Sequence, residues 1–271
     1  MIVFPNTKIN LGLNILYKRP DGFHEIETVF YPLPFADILE IIPGRFAFGH
    51  LKQTGIPLDC LAEDNLVFRA YRQLKDRFDL PEAGLHLHKI VPFGAGLGGG
   101  SADAAYTLRV MNKLFDLQLS NQELEQEAQK LGSDCAFFIR NRAVFACGRG
   151  ADFTEVSFSL KGYYLLLIIP PVSVSTAEAY AGIKPAMPEQ SIQKIIQEPV
   201  RHWKGLLKND FENPVFSKHS DLSEIKEALY ASGALYASMT GSGSALFGIY
   251  DSVPEAISEK LERYIYWRGW L

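Results

Sequence analysis

Cysteine is scarce in this sequence, with three residues among 271, and the three show no paired spacing. This argues against a disulfide framework or a cysteine metal cluster, and for a reducing compartment. The sequence also shows no positively charged n-region before an apolar segment, and its longest apolar run, 163–169, is too short to cross a bilayer. We therefore expect a cytoplasmic protein with no membrane partner.

An excess of positive charge is also missing. Lysine and arginine number 27 against 31 aspartates and glutamates, which gives a net charge of −4. Proteins that bind nucleic acid usually carry a basic face, so this composition predicts no nucleic-acid partner. The hydrophobic content of 47% is enough for a large core, divided over one or two domains.

Glycine, in contrast, is concentrated at one place. Residues 92–105 read PFGAGLGGGSADAA and pass from glycines directly into helix-forming residues. Glycine lets the backbone adopt positive φ and lie against a ligand, and the start of the following helix supplies N–H groups and a positive dipole. The stretch therefore predicts a phosphate-binding loop of the kind that holds nucleotides.

Three other interpretations of this loop fit less well. A Walker loop ends in Gly-Lys-Ser/Thr, and here the last glycine is followed by Ser-Ala with no lysine. The dinucleotide fingerprint G-x-G-x-x-G is matched at Gly94, Gly96 and Gly99, but a glycine-rich run satisfies it easily, and a Rossmann domain would begin nearer the N-terminus. A flexible linker usually lacks the apolar residues that follow here.

Hydrophobic periodicity predicts the surrounding elements. Alternation over 3–16 predicts a strand pair or one long strand, with Ile9 and Leu11 on its buried face. The polar face, which carries Lys8 and Asn10, is ordinarily solvated. Other strands are predicted over 26–42 with a turn around Pro34, and over 85–91, 143–150, 162–170 and 246–250. Helices are predicted after Asn65, over 101–115, 120–131 and 222–232, and after a cap at 252–255; residues 171–188 are predicted to be a loop.

Several polar residues have ordinary structural explanations. Asn65 precedes a helical pattern, and Ser133 or Asp134 precedes another, so each is a candidate helix cap. His86 and His88 share one strand face, but no third ligand is evident. We therefore expect a surface face there and no metal site.

The glycine-rich loop resembles the second motif of the GHMP kinases (galacto-, homoserine, mevalonate and phosphomevalonate kinases), which reads P-x-x-x-G-L-G-S-S-A or similar. Residues 8–11 (KINL) and 21–25 (DGFHE) match the first motif of one branch of that family. Residues 132–138 match its G-[SA]-D-V-P-F-F element, with Ala136 in place of proline, and 209–212 match its N-D-[LF]-E element. Residues 237–245 resemble the third, glycine-rich motif.

The resemblance covers nearly the whole chain and implies an α+β fold. Its two domains would be a ribosomal-S5-like, ATP-binding domain over 1–155 and a ferredoxin-like domain over 156–271. It implies a kinase that transfers phosphate from ATP, with Mg²⁺, to the C2 hydroxyl of a methylerythritol bearing a cytidine diphosphate group, in non-mevalonate isoprenoid biosynthesis. The protein would be a monomer or a weak homodimer. Another GHMP kinase, such as a homoserine or mevalonate kinase, is the alternative, although it would lack DGFHE.

The resemblance also implies roles for individual residues. Asp134 would accept the proton of the hydroxyl, while Lys8 keeps Asp134 ionised and offsets the charge of the transferring group. A binding module that had lost its chemistry would lack one of these two residues. The residues implied in substrate binding are Asn10, Phe23, His24, Thr176 and Tyr180. Those implied in ATP binding are Asn65, Lys89, Pro92, Phe93, Gly94, Ala95, Gly96, Leu97, Gly98, Gly99, Gly100, Ser101 and Ala102, and Ser101 would also face Mg²⁺.

Overall fold

The computed structural model describes residues 1–44, 51–58 and 60–271. Over these residues the chain combines helices with three four-stranded sheets, in which nearly all neighbouring strands are antiparallel. This confirms the α+β class. None of the helices described has the length and apolar character that crossing a lipid bilayer requires.

The elements follow one another with short connections. The strands are β1 (Ile2–Val3), β2 (Asn6–Lys18), β3 (His24–Ala36), β4 (Ile38–Pro43), β5 (Leu51–Gly55), β6 (Ala83–Lys89), β7 (Val144–Cys147), β8 (Asp152–Glu155), β9 (Tyr164–Ile168), β10 (Tyr236–Met239), β11 (Leu246–Tyr250) and β12 (Ile265–Trp270). The helices are α1 (Leu66–Phe78), α2 (Gly99–Leu114), α3 (Asn121–Gln129), α4 (Phe137–Arg140), α5 (Thr176–Ala181), α6 (Ile192–Ile195), α7 (Glu212–Lys218), α8 (Ser220–Ala231) and α9 (Glu259–Glu262). Two 3₁₀ turns lie at Ala62–Asp64 and Val200–His202.

The chain divides into two compact units that do not follow its linear order. The first unit contains Met1–Lys8, Pro32–Phe93 and Gly98–Arg142. The second contains Ile9–Tyr31, Gly94–Leu97 and Ala143–Leu271. Strands β2 and β3 therefore contribute residues to both units. The domain boundary expected near residue 155 stays a prediction.

The first unit has a sheet in the order β1-β4-β6-β5, with helices α1 and α2 packed on one another and α2 packed on β4. Helix α1 buries the apolar residues that recur at helical spacing, among them Val67, Tyr71 and Leu74. The side-chain oxygen of Asn65 accepts a hydrogen bond from the backbone N–H of Val67 at 2.9 Å. The predicted cap of this helix is therefore confirmed.

The second unit has a sheet in the order β10-β11-β9-β12, and a third sheet has the order β2-β3-β7-β8. All five residues of β9 are buried, which confirms the strand predicted from the continuous apolar run. One apolar core joins this sheet to α5, α7 and α8, with residues such as Leu166, Val215 and Ile225 at its centre.

Three element predictions are wrong. Pro34 does not form a turn but lies inside β3, which pairs with β7 over residues 28–30 only, so the missing N–H of this proline breaks no bond of that ladder. The last helix is only α9, capped by Ser258 instead of the segment 252–255, and the chain then forms β12. The predicted loop over 171–188 also contains α5, which is capped by Ser175.

Candidate active site

Lys8 and Asp134 form an ion pair inside the first unit. The Lys8 side chain lies on β2 and is 3% exposed, so the expectation of a solvated polar face is wrong. Its Nζ lies 3.4 Å from Oδ2 of Asp134, and about a third of the Asp134 side chain is exposed. Burial lowers the pKa of Lys8, and the charge and hydrogen bond of Asp134 partly offset that effect. The pair therefore joins a buried cation to a carboxylate that a ligand can reach.

Asp134 does not cap the helix that follows it, in contrast to the expectation. Helix α4 begins at Phe137, and its N-cap position is Ala136, with no side-chain hydrogen bond. The backbone of Ala136 has φ −62°, the value that proline would fix, so the family's proline can be replaced here without a change of backbone direction. The carboxylate of Asp134 is thus available for Lys8.

The start of α2 lies against the same ion pair. Gly98 precedes the helix with φ +70°, and a Cβ placed on it would lie 3.1 Å from the Phe138 ring and 3.3 Å from Cε of Lys8. Ser101, in the first turn of α2, lies near the thiol of Cys135, which follows Asp134, and acts to lower the pKa of that thiol. The helix N-terminus, which attracts anions, and the ion pair therefore occupy one region of the first unit.

The central part of the glycine loop, Gly94–Leu97, belongs to the second unit. Gly94 and Gly96 have φ values of +74° and +76°, which confirms the conformation predicted from glycine. The carbonyl of Ala95 accepts from the N–H of Ala245 at 3.2 Å, and that of Gly96 accepts from Oγ1 of Thr240 at 3.2 Å. A Cβ on Gly96 would lie only 2.1 Å from the Thr240 carbonyl oxygen. This loop is therefore held by the third motif.

Asn10 is buried on β2, and its contacts connect two motifs of the second unit. Its backbone N–H donates to Oγ1 of Thr240 at 3.0 Å, and its side-chain amide donates to Oγ1 of Thr28 at 3.0 Å. Oγ1 of Thr240 also donates to Oδ1 of Asn10 at 3.3 Å. Sequence reasoning missed Thr240, although its position inside the third glycine-rich motif was the available signal.

The N-D-F-E element supports this third motif. The amide of Asn209 donates to the carbonyls of Met239 at 2.8 Å and Gly241 at 2.9 Å. Oε1 of Glu212 accepts from the N–H of Met239 at 2.8 Å, and Lys226 donates to the other oxygen of Glu212 at 2.6 Å. The element therefore shapes the glycine-rich turn that holds Asn10 and Gly96.

Four of the predicted substrate residues carry aromatic or hydroxyl groups in the second unit. The rings of His24 and Tyr180 are stacked, with centroids 4.9 Å apart and planes at 20°. Thr176 begins the same short helix that carries Tyr180. Phe23 precedes His24 and is 53% exposed. The structure thus brings His24 and Tyr180 together and leaves the Phe23 ring accessible.

The remaining residues of DGFHE hold this turn. Oδ1 of Asp21 accepts from the N–H of Phe23 at 3.1 Å, and Oδ2 accepts from Arg149 at 2.9 Å. The Arg149 guanidinium lies 3.9 Å from the centroid of the Phe23 ring. The hydrogen bond from Arg149 is the largest of the effects that lower the pKa of Asp21 to about 2. Glu25 accepts from the N–H of Gly148 at 2.8 Å. Asp21 therefore positions Phe23 directly and through Arg149, and Glu25 holds the neighbouring residue Gly148.

Two predicted ATP residues have structural roles in the first unit. Asn65 caps α1 through its side-chain oxygen. Lys89 was expected to face the nucleotide. It is instead 2% exposed, and its ammonium forms ion pairs with Asp37 and with Asp103. Pro92 and Phe93 follow, and the Phe93 ring is 80% exposed.

The described residues contain no group of three or more His, Cys, Asp or Glu side chains arranged to hold a metal ion. His86 and His88 do lie together, and a ring nitrogen of each is 2.9 Å from the hydroxyl of Thr54. These half-buried histidines therefore belong to a polar face of the sheet.

The chain is similar to known proteins over nearly its whole length. Residues 65–142 match the model of the GHMP kinases N terminal domain, and residues 188–266 match that of the GHMP kinases C terminal domain. The chain is 53% identical, over 252 residues, to 4-diphosphocytidyl-2-C-methyl-D-erythritol kinase of Parabacteroides distasonis, covering 93% of this chain and 92% of that protein.

Solved structures give the same result. A crystal structure of 4-(cytidine 5'-diphospho)-2C-methyl-D-erythritol kinase superimposes with a TM-score of 0.84 at 29% identity, covering 99% of this chain and 98% of the other. Homoserine kinase from Cytophaga hutchinsonii gives a TM-score of 0.61 at 17% identity, covering 95% and 89% of the two chains, and this likeness concerns the fold alone.

Proposed function

This chain belongs to the GHMP kinase family, among the 4-diphosphocytidyl-2-C-methyl-D-erythritol kinases, and we propose that it transfers the γ-phosphate of ATP to the C2 hydroxyl of that cytidine-bearing alcohol. The products are ADP and the 2-phosphate, which serves isoprenoid precursor synthesis. The observation that carries this proposal is the Lys8–Asp134 pair beside the N-terminus of α2. Homoserine and mevalonate kinases are only distant relatives of the chain.

The ion pair supplies the groups that an alcohol kinase needs. Phosphoryl transfer depends mainly on positioning and on stabilisation of charge, with a carboxylate to receive the proton of the acceptor. The oxygen of the C2 hydroxyl attacks the γ-phosphorus while Asp134 takes the hydroxyl proton. The bond between the γ-phosphorus and the oxygen that bridges it to the β-phosphate breaks, and ADP leaves. Lys8 stabilises the negative charge on the transferring group. Its burial strengthens this interaction because little water screens the ammonium.

The glycine-rich segment binds the ATP phosphates in this proposal. The residues assigned to it are Gly94 to Ala102, which include the positive-φ glycines and the first turn of α2. The N–H groups of a first helical turn have no partner within the helix and are suited to phosphate oxygens. Pro92, Phe93 and Asn65 are assigned to the adenosine part of ATP.

Magnesium fits the donors present. Mg²⁺ with ATP usually takes one or two protein oxygens and completes its shell with phosphates and water, so it needs no cage of carboxylates. The Ser101 hydroxyl, in the first turn of α2, is an oxygen donor of this kind in the first unit. The ion would neutralise charge on the phosphates.

The substrate is assigned to the second unit. His24 and Tyr180 present aromatic faces, and Phe23 is exposed and held by Arg149. Aromatic rings bind nucleobases by stacking, which suits a cytosine. Asn10 and Thr176 provide polar groups for the same ligand. We place the enzyme in the cytoplasm as a monomer or a weak homodimer, with no nucleic-acid or membrane partner.

A panel of acceptor alcohols tests the proposal. Purified enzyme with Mg-ATP is given the diphosphocytidyl alcohol, homoserine, mevalonate or galactose, and ADP release is recorded. We expect turnover with the diphosphocytidyl alcohol at a rate far above the other three. Turnover of mevalonate or homoserine at the higher rate would replace this function by the alternative.

A further inference from the structure

Three charged side chains are buried together in the first unit, and the proposed reaction does not use them. Lys89 ends β6, Asp103 lies in the first half of α2, and Asp37 lies between β3 and β4. All three are almost inaccessible to solvent. The Lys89 ammonium donates to Oδ2 of Asp37 and, at 2.9 Å, to Oδ2 of Asp103.

Asp37 fixes the chain that leads into the glycine loop. Its Oδ1 accepts from the backbone N–H groups of Ile90 at 2.6 Å and Val91 at 2.8 Å. Its own N–H donates to the carbonyl of Pro5 at 2.9 Å. The Asp37 carboxylate therefore holds both the Lys89 ammonium at the end of β6 and the backbone of the two residues that follow.

Asp103 fixes the helix that leads out of the loop. Its Oδ2 bonds to Lys89, whereas its Oδ1 is buried and has no hydrogen-bond partner among the described residues. A buried carboxyl oxygen without a partner lowers the stability of the fold. If position 103 served packing alone, an apolar side chain would stabilise the protein more than aspartate does. The cost is consistent with a role for the ion pair in holding this helix.

Gly99 allows the two ends of the loop to approach each other. A Cβ on this residue would lie 2.9 Å from Cγ1 of Val91 and 3.2 Å from Nζ of Lys89. The chain that enters the loop and the helix that leaves it are therefore in direct contact, and the Lys89 ammonium lies at this contact.

The net charge of Lys89, Asp37 and Asp103 is zero when one of the two acids carries a proton. Burial raises the pKa of Asp103 to about 7; the Lys89 charge opposes this rise, and the Asp37 charge adds to it. Burial alone would lower the pKa of Lys89, but Asp103 and Asp37 outweigh it, so that pKa is raised and the ammonium stays charged. Lys89 is therefore a permanent cation shared by two acids.

We propose that Lys89, Asp37 and Asp103 form a positioning clamp that holds the two ends of the ATP phosphate loop together. Lys89 supports nucleotide binding through the loop and makes no contact with the nucleotide itself. This inference rests on the proposed function, since it assigns the glycine-rich segment to ATP. It changes the predicted role of Lys89 from a ligand contact to a support for the loop.

A double-mutant cycle tests the clamp. The variants are Lys89→Met, Asp103→Asn and the pair, and the readouts are the Kd of ATP and the KM values of ATP and of the diphosphocytidyl alcohol. We expect Lys89→Met to weaken ATP binding about tenfold or more with the KM of the alcohol unchanged, and to have a clearly smaller effect in the Asp103→Asn background. Equal effects in the two backgrounds would mean that Lys89 acts on the nucleotide independently of Asp103, and would overturn the clamp.

A second measurement does not need the Lys89 variant to fold. Hydrogen exchange of the amides of 94–101 is compared between wild type, Asp103→Asn and Glu127→Gln, which changes another buried, ion-paired acid of the same unit. We expect faster exchange in Asp103→Asn only. Unchanged exchange there, or the same increase in Glu127→Gln, would overturn the clamp. Failure of the proposed function would instead appear as no ADP release by wild type with the diphosphocytidyl alcohol.

Discussion

The Lys8 ammonium lies 3.4 Å from the Asp134 carboxylate, and the methylene next to that ammonium lies close to Gly98 at the start of α2. Strand β2, the turn that carries Asp134 and the N-terminus of α2 therefore meet at one site of the first unit. The cation is buried, whereas the carboxylate is partly exposed. This difference suits a cation that stabilises charge and a base that must reach the acceptor.

Asp134→Asn is expected to lower kcat by about 10²–10⁴-fold, because the amide cannot accept the hydroxyl proton. The Kd of ATP should change little, since the glycine segment and α2 are untouched. Steady-state kinetics and calorimetry with ATP give the two values. The matched control is Asp79→Asn at the C-cap of α1, where φ is +48° and asparagine is well tolerated. Near-normal kcat in Asp134→Asn would remove this residue from the mechanism.

The activity is expected to fall at alkaline pH as Lys8 loses its proton. Because burial lowers the pKa of Lys8, this limb of kcat/KM should lie below the ordinary lysine value of about 10.4. Lys8→Arg keeps its charge throughout this range, so its residual kcat/KM should lack the limb. Profiles of both proteins up to pH 10.5 are compared. A limb at the same pH in the arginine variant would assign it to another group.

Gly96→Ala is expected to weaken ATP binding more than Gly94→Ala. Both glycines have positive φ, and an alanine there costs about 1–2 kcal/mol. A Cβ on Gly96 would also lie 2.1 Å from the Thr240 carbonyl, whereas nothing lies within 4 Å of one on Gly94. Calorimetry gives the Kd of ATP for both variants, and the difference between them measures the effect of the steric clash with Thr240 beyond that of backbone strain. Equal losses would show that the contact with Thr240 has no effect on the loop.

Asp103 is expected to make the protein less stable as the pH rises. Its pKa is about 7 in the folded chain and 3.8 in the reference state, so the folded state binds more protons between these values. The free energy of unfolding should therefore fall from about pH 4 to about pH 7 and level off above that, by up to about 3 kcal/mol between pH 5 and pH 8. The charged groups acting on it are Lys89 and Asp37.

Urea unfolding at pH 5 and pH 8 measures this effect. Asp103→Asn has no titrating carboxyl at this position, so the variant should gain stability relative to wild type as the pH rises. The same pH dependence in both proteins would assign it to other groups.

Tyr180→Ala is expected to raise the KM of the diphosphocytidyl alcohol by about tenfold, since stacking on a base contributes about 1–3 kcal/mol. Tyr180→Phe keeps the ring stacked on His24 and should stay close to wild type. The KM of ATP should not change in either variant. An increase in that value, with none for the alcohol, would move Tyr180 away from the cytidine.

The local parts of the site could be predicted from the sequence. The glycine loop is one example, because positive φ at Gly94, Gly96 and Gly98 is a property of the residue type in that pattern. The cap at Asn65 and the capping box that Ser120 forms with Glu123 at the start of α3 are others. In each case the atoms that decide the conformation lie within a few residues of each other.

The long-range parts could not be predicted. The alternation of β2 marks Lys8 and Asn10 as a polar face, and nothing nearby in the sequence shows that Asp134 or Thr240 covers it. The roles of Asp37 and Asp103 also depend on Lys89. Asp37 lies 52 residues before Lys89 in the sequence, and Asp103 lies on the other side of the glycine loop, in the first half of α2. Pairs of this kind become visible only once the strands and helices are packed.

The thiol of Cys135 adjoins Asp134 but is a poor target for electrophiles. Burial is the main cause that raises its pKa to about 11, so almost none of it is thiolate at neutral pH. Cys60, in contrast, is exposed. Maleimide dyes should therefore label Cys60 first and leave turnover intact, which provides a spectroscopic handle, whereas covalent inhibitors aimed at Cys135 would react slowly.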